Sequence, residues 1–172
     1  MIIDIFTDGS CYYKSGNGGW AAIVVLRKRA LDLDDLSRDM IGYQSGDTMK
    51  IISAGQRDTT TNQMELHGVL AALRFAHKTR MKRADDLHMR IFTDSSYSKH
   101  SITKWYRAHL RNGWQNSLGE PVKNQKLIRT ARGLLNDIDD CTTIHKVKGH
   151  VGHHYNEIAD HNAGLERKKL EV

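Results

Sequence analysis

The order in which hydrophobic patterns follow one another along the chain restricts its fold more than any other feature. Runs of β-branched and aromatic residues, bounded by glycine, asparagine or aspartate, predict strands at about residues 2–6, 20–26 and 49–54. The spacing then changes, because apolar residues recur at i, i+3, i+4 and i+7 from Leu66 to Leu73 and predict a helix over residues 61–78. Strands joined by short turns before such a helix favour an antiparallel meander.

The second half of the chain alternates between the two patterns. It predicts a strand at 87–93, helical segments interrupted at Gly113 and near Pro121, a helical stripe from Leu127 to Ile138, a strand at 142–147, and a C-terminal helix at about 155–169. Residues 27–48 are polar and acidic and predict a loop with a short helix. Together these elements predict one domain over residues 1–172, built on a mixed α/β sheet.

Several classes of protein are excluded by composition. No apolar run approaches the ~18 residues that a membrane span requires, and the first residues show no signal-peptide pattern. The two cysteines, Cys11 and Cys141, do not make a disulfide framework. We therefore expect a cytoplasmic protein with no membrane association.

The net charge of +6 is unevenly distributed. Residues 99–132 carry eight lysines and arginines but one acid, Glu120, so this stretch is +7 and the rest of the chain is −1. Trp105, Tyr106 and Trp114 lie among these bases. Cations for phosphates and flat rings for sugars or bases are what a nucleic acid requires, although a solvated helix face with buried tryptophans would have the same composition.

Four carboxylates stand in unexpected surroundings. Asp8 and Asp94 each follow the same Ile-Phe-Thr sequence at the predicted end of a strand, where ligand sites of α/β sheets gather. Glu65 lies at the margin of the inward helix stripe, and Asp160 follows an apolar pair in the last helix. Individually, each could be a turn residue, a helix cap or half of a salt bridge.

Converging carboxylates repel one another unless a cation lies between them. Oxygen ligands suit Mg²⁺ or Mn²⁺, and a pair of such ions activates water and stabilises the leaving oxygen of a phosphodiester. A carboxylate cluster beside a basic aromatic surface predicts a metal-dependent nuclease. Zinc is a weaker alternative, because the histidines near Cys141 match no familiar zinc spacing: His145, His150, His153, His154 and His161.

Nine short motifs resemble, in order, those of type 1 ribonuclease H, the family of bacterial ribonuclease HI. They are FTDGSC at 6–11, GGW at 18–20, TTNQMEL at 60–66, TDSSY at 93–97, ITKW at 102–105, NGW at 112–114, PVKN at 121–124, VKGHVGH at 147–153 and NEIAD at 156–160. The resemblance covers nearly the whole chain. It implies a ribonuclease H-like fold with a five-stranded mixed sheet in the order 3-2-1-4-5, flanked by helices.

The resemblance also implies an activity, the endonucleolytic hydrolysis of the RNA strand of RNA–DNA hybrids, which leaves 5′-phosphate and 3′-hydroxyl ends. The cofactor would be two Mg²⁺ ions, with Mn²⁺ as a substitute. Asp8 would bridge both ions, Asp160 would complete the site that holds the attacking water, and Glu65 and Asp94 the other site. His150 would assist proton transfer or product departure, and Glu157 product release. Members of this size are expected to be monomers.

Substrate contacts follow from the same resemblance. The 2′-hydroxyl, which only RNA carries, would be recognised by backbone around Cys11 and by the side chains of Asn62 and Glu65. Thr60 would bind a phosphate of the DNA strand. The basic protrusion, about residues 105–126, would hold the hybrid outside the active site. The other predicted contacts are Lys14, Trp105, Arg111, Trp114 and Lys123.

Two departures from the family pattern border the substrate: Lys14 and Thr61 stand where asparagine is common. The acidic loop at 27–48 is longer than in compact bacterial members, and we expect it to lie away from the groove. Two other functions remain as alternatives, a catalytically silent hybrid-binding module and a resolvase-like or integrase-like nuclease. The first would lack a carboxylate, and the second would lack the 60–65 motif and the protrusion.

Overall fold

A computed structural model describes residues 1–28, 46–82, 86–149 and 153–171 of the chain. Its strands are β1 (Ile2–Tyr12), β2 (Asn17–Leu26), β3 (Thr48–Gln56), β4 (His88–Thr93) and β5 (Thr142–Lys146). Its helices in these ranges are α1 (Thr61–Lys82), α2 (Ser96–Ile102), α3 (Tyr106–Arg111), α4 (Gln125–Asn136) and α5 (His154–Lys168). None of these helices is long and apolar enough to cross a membrane.

The strands form one mixed sheet in the order β3-β2-β1-β4-β5. The first three strands pair antiparallel, whereas β4 and β5 join the other side of β1 in parallel. This arrangement confirms the predicted fold class and strand order. Because β1, β4 and β5 run parallel, it also brings their C-terminal ends to the same edge of the sheet.

Strand β1 is longer than the sequence predicts. The Asp-Gly-Ser sequence suggested a turn after Phe6, but β1 continues because β2 pairs with it as far as Tyr12 opposite Asn17. The parallel ladder with β4 ends earlier, at Thr7 opposite Thr93. Asp8 therefore lies inside a strand, one residue beyond the point at which β1 and β4 separate.

Helices cover both faces of the sheet. On one face, α1 packs on Ile3, Ile5 and neighbouring apolar residues of β2 and β4, and α4 packs against α1. On the other, α5 packs on a smaller cluster that contains Phe6 and Phe92. Because side chains alternate along a strand, Asp4, Phe6 and Asp8 all lie on the α5 face. Asp8 is thus directed toward the helix that carries Asp160.

The remaining boundaries differ from the predictions by a few residues. Helix α1 continues to Lys82, and Ile138 lies beyond the end of α4. The predicted connection at 16–19 is largely part of β2, and the turn lies at residues 13–16. Most of the predicted loop at 27–48 lies outside the described residues. Its expected position, away from the groove that would hold the hybrid, therefore stays a prediction.

Candidate active site

Three of the four predicted metal ligands meet at the sheet edge where β1 and β4 separate. Asp8 comes from β1, Asp94 follows β4, and Glu65 comes from the second turn of α1. One carboxylate oxygen of each lies within 4.8 Å of the other two. Asp8 and Glu65 are 5% and 8% exposed, and Asp94 is partly buried. Below, these three residues are called the carboxylate cluster.

Local sequence explains how Glu65 reaches Asp8. A Cβ atom at residue 9 would overlap the backbone of Glu65, so Gly9 allows α1 to approach β1 closely. The helix start is fixed by a capping box, in which the Gln63 backbone N–H donates to Thr60 Oγ1 at 3.3 Å and the Thr60 N–H donates to Gln63 Oε1 at 3.2 Å. These contacts set where the first turn begins and hence where Glu65 points.

Burial and mutual repulsion perturb the ionisation of the cluster. Desolvation, followed by the charge of Asp94, raises the pKa of Asp8 to about 7, although the Gly9 N–H donates to Asp8 Oδ1 at 2.7 Å. Desolvation together with the charges of Asp8 and Asp94 raises the pKa of Glu65 to about 10. Within the part of the chain that the structure describes, the buried Oε2 atom of Glu65 has no hydrogen-bond partner. An unpartnered carboxylate oxygen among repelling carboxylates fits a divalent cation, whose preferred ligands are such oxygens.

The fourth predicted ligand, Asp160, lies on α5 and is exposed. It is not part of the carboxylate cluster, but its charge is close enough to contribute to the raised pKa of Asp8. Glu157 is also exposed, one turn earlier on the same helix. Asp160 therefore borders the cluster from the α5 side. His150 lies outside the described residues, so its predicted role stays a prediction.

The predicted substrate contacts outside the basic protrusion lie around the start of α1 and the end of β1. Thr60, Asn62 and Lys14 are exposed. The Cys11 thiol donates to the carbonyl oxygen of Thr59 at 3.4 Å, which joins the end of β1 to the segment before α1. These positions are available to a bound strand, and their individual contacts stay predictions.

The basic protrusion comprises α3, a turn closed by a bridge between Gln115 and Pro121, and the approach to α4. Arg111 and Lys123 are exposed, and Trp105 is 39% exposed. Trp114 is different, since it is only 4% exposed and packs against Tyr106, with Arg129 over its ring. Its ring is not available to a strand, so the expectation of a direct substrate contact is corrected to a role in supporting the protrusion.

One residue beside the cluster was missed by the sequence analysis. Lys146 is the last residue of β5 and pairs with Thr93. Its ammonium group donates to the carbonyl oxygens of Asp94 and, at 3.2 Å, Val147. It therefore ties the end of β4 to the end of β5. No sequence signal predicts this contact, because it depends on the register between the two strands.

Comparison with known proteins agrees with this geometry. The family model for RNase H matches residues 2–168 of the chain. The chain belongs to the ribonuclease H family. This family consists of endonucleases of the hydrolase class, which confirms the predicted class of enzyme. Among the described residues, the carboxylate cluster is the only group of three or more potential ligands close enough to share an ion.

Similar sequences carry the name ribonuclease H. That of Parvibaculum lavamentivorans is 35% identical over 159 residues, which cover 92% of this chain and 87% of the relative. That of Agrobacterium fabrum is 36% identical over 169 residues, which cover 98% of this chain and 94% of the relative. The chain therefore matches these ribonucleases H over nearly their whole length.

Solved structures show the same fold at lower identity. LC9-RNase H1, a type 1 RNase H with the type 2 active-site motif, superimposes with a TM-score of 0.73 at 24% identity, covering 98% of this chain and 72% of that one. LC11-RNase H1, solved in complex with an RNA/DNA hybrid, superimposes with a TM-score of 0.64 at 16% identity, and the match covers 99% of both chains.

Proposed function

We propose that the chain hydrolyses the RNA strand of RNA–DNA hybrids endonucleolytically and leaves 5′-phosphate and 3′-hydroxyl ends. The carboxylate cluster, at the sheet edge of a ribonuclease H fold, carries this proposal. A hybrid in the structure of the related LC11-RNase H1 supports the choice of substrate. The exposed Trp105, Arg111 and Lys123 support binding of a polyanion beside the cluster.

We propose that the cluster holds two Mg²⁺ ions, for which Mn²⁺ can substitute. Bound divalent ions supply a nucleophilic water and stabilise the leaving oxygen of the phosphodiester. Asp8 would contact both ions, Glu65 and Asp94 would complete one set of ligands, and Asp160 the other. Because the pKa values of Asp8 and Glu65 are raised, both carboxyl groups hold protons more readily than usual in the metal-free protein. They release these protons when a divalent cation binds between them.

The remaining roles are assigned to the chain's own side chains. His150 would accept a proton near the reacting phosphate or carry one to the departing product. Glu157, exposed on α5, would assist product departure. Selection for RNA would come from the 2′-hydroxyl, contacted by backbone at Cys11 and by Asn62.

Cleavage of end-labelled RNA–DNA hybrid, double-stranded RNA and double-stranded DNA, with Mg²⁺ or with EDTA, tests the proposal. We expect the RNA strand of the hybrid alone to be cut, only with the metal, and Asp8→Asn to abolish cleavage. Asp139→Asn is the matched control, because it makes the same chemical change at an exposed site in the turn before β5. Extension of the products by a polymerase reports the 3′-hydroxyl.

Three results would reject the proposal in different ways. Hybrid binding without cleavage would indicate a silent binding module. Preferential cutting of double-stranded DNA would indicate a resolvase-like nuclease. Equal cleavage by wild type and Asp8→Asn would show that the carboxylate cluster does not take part in the reaction.

A further inference from the structure

Two tyrosines stand side by side and open to water at the turn between β1 and β2. Tyr12, the last residue of β1, is 40% exposed, and Tyr13, which follows it, is 81% exposed. The centres of their rings are 5.8 Å apart. Because tyrosine combines a large flat apolar face with a polar end, it is enriched where proteins bind other molecules. The pair therefore marks a candidate binding surface outside the carboxylate cluster.

The turn that carries the two rings is held in place on both sides. The Thr59 N–H, just before α1, donates to the carbonyl oxygen of Gly16 at 2.9 Å. On the other side, Asn17 Nδ2 donates to the carbonyl oxygen of Leu170, beyond the end of α5, at 3.1 Å. Since the backbone is already fixed, binding a ligand at Tyr13 costs less conformational entropy than it would on a loose loop.

Each ring has a cation beside it. Lys14 Nζ lies 6.0 Å from the centre of the Tyr13 ring, and the guanidinium of Arg167 lies 5.9 Å from the centre of the Tyr12 ring. Arg167 is paired with Glu171 at 2.6 Å, whereas Lys14 forms no ion pair with another described residue. Proteins bind single-stranded nucleic acid with such surfaces, because bases stack on the rings and phosphates contact the cations.

The rings continue the surface on which the substrate is expected. Asp8 and Tyr12 are four residues apart in β1, or about 13 Å. Between them, the Cys11 thiol donates to the carbonyl oxygen of Thr59, directly before the exposed Thr60. A strand with one phosphate at the carboxylate cluster would therefore pass the two rings a few nucleotides away.

An unpaired strand suits the two rings better than a duplex does. Inside a hybrid, every base is paired and stacked between its neighbours, so its flat faces are covered, whereas unpaired bases can stack on aromatic side chains. A duplex would offer the rings only its backbone and the edges of its grooves, and most of their aromatic area would stay unused. The surface thus fits a hybrid in which the strand to be cut continues beyond the duplex without a partner.

We propose that Tyr13, together with Tyr12 and Lys14, binds an unpaired stretch of RNA that continues the strand held at the carboxylate cluster. The Tyr13 ring stacks on one base, and the Lys14 ammonium group contacts a neighbouring phosphate. The proposal rests on the function proposed above, because it takes the strand at the cluster to be the RNA strand of a hybrid. It gives the chain a preferred class of substrate, hybrids that border single-stranded RNA.

Binding of two labelled hybrids, measured by fluorescence anisotropy in EDTA so that neither is cut, tests the proposal. The hybrids share one duplex, and one of them has a short single-stranded RNA extension. We expect the extension to tighten binding at least about fivefold. The gain should occur with an extension at one end of the RNA strand and not at the other, because the rings lie on one side of the cluster. An extension of abasic sugars should give no such gain.

Substitutions separate stacking from general effects on the fold. Tyr13→Ala should remove the gain from the extension and leave binding of the plain hybrid unchanged, whereas Tyr13→Phe should keep the gain. Lys14→Ala should reduce the gain and its salt dependence. Met81→Ala is the matched control, because it truncates another large side chain, 62% exposed, about 24 Å along α1 from Glu65. It should bind both hybrids as wild type does.

Several results would overturn the proposal. Wild type could bind the two hybrids equally, or the gain could persist in Tyr13→Ala or with the abasic extension. Equal weakening of both hybrids by Tyr13→Ala would place the ring against the duplex, and a gain from a DNA extension alone would assign the surface to the uncut strand. The test does not use cleavage. A chain that cuts the plain hybrid but gains nothing from the extension contradicts this proposal alone, and one that gains from the extension but cuts no hybrid contradicts the proposed function.

Discussion

Replacing Asp8 by asparagine should abolish catalysis and yet stabilise the metal-free protein. The side chain is 5% exposed and lies against two other carboxylates. Without a cation, the folded protein at neutral pH must either hold a buried charge there or bind a proton. Asparagine has the same shape and avoids both costs.

The size of the effect follows from the pKa. The pKa of Asp8 is about 7 in the folded chain, against an ordinary value of 3.8, and one pKa unit corresponds to about 1.4 kcal/mol. The full penalty at pH 7 and above is therefore about 4 kcal/mol. Part of it is repulsion shared with Asp94, and a buried amide has its own desolvation cost. We expect Asp8→Asn to raise the free energy of unfolding by about 2 kcal/mol, or the Tm by about 4–8 °C.

The sign of the pH dependence provides a second check. A raised folded-state pKa means that the stability contributed by protonated Asp8 is fully present below about pH 4 and is lost as the pH rises to about 7. The advantage of Asp8→Asn should thus be largest at pH 8 and fall below about 1 kcal/mol at pH 4.5. Urea titrations in EDTA at both pH values, followed by circular dichroism, measure it.

Added Mg²⁺ should reduce the difference in unfolding free energy between Asp8→Asn and wild type. An ion that binds only the folded state stabilises it more the more tightly it binds, and Asp8→Asn has lost one of the carboxylates that would bind the ion. Asp139→Asn, at an exposed position, should change neither stability nor its pH dependence. The reasoning would be refuted if Asp8→Asn were no more stable than wild type in EDTA at pH 8, or if its advantage were as large at pH 4.5.

Other substitutions test other parts of the molecule. Arg111→Ala and Lys123→Ala should weaken hybrid binding and reduce its salt dependence by about one counterion each, with the single-turnover rate at saturation retained; a large loss of that rate would contradict their place on the protrusion. Trp114→Ala should cost about 3 kcal/mol of stability in urea titrations, whereas Trp105→Ala should weaken hybrid binding with little change in stability, and the reverse pattern would contradict the observed burial. Lys146→Met should lower kcat about three- to tenfold by loosening the Asp94 backbone with little change in KM, and Lys146→Arg should recover part of the loss; a wild-type kcat in Lys146→Met would exclude this positioning role.

The convergence of Asp8, Glu65 and Asp94 was predictable because each carries a local sign in the sequence. The repeated Ile-Phe-Thr-Asp marks two strands, and an acid at the edge of an apolar stripe marks Glu65. The end of β1 was not predictable in the same way. Gly9 and Ser10 resemble a turn, but pairing with β2 keeps them in the strand, and that pairing is a tertiary effect.

Burial of polar and aromatic side chains was the other part that local pattern did not reveal. Trp114 lies in a basic, aromatic stretch that resembles a binding surface, yet its ring is covered by Tyr106 and Arg129. Basic and aromatic residues occur both on a binding surface and in the layer beneath it, so composition does not distinguish the two. Only the packing of α3 against the segment before α4 separates Trp105, which is accessible, from Trp114, which is not.

Two buried acids on the same face of β1 show what distinguishes a structural carboxylate from a metal ligand. Asp4 is fully buried, and its carboxylate accepts hydrogen bonds from Arg27 at 2.6 Å and from Arg90 at 2.7 Å. Asp8 lies four residues further along, about 13 Å away, and within the described part of the chain neither it nor its two cluster partners forms an ion pair with a lysine or arginine. An uncompensated buried charge is costly, and the neighbouring strands supply two arginines, Arg27 directly after β2 and Arg90 in β4, to compensate Asp4. The uncompensated charge at Asp8 is therefore best explained by a cation that the protein binds in order to work.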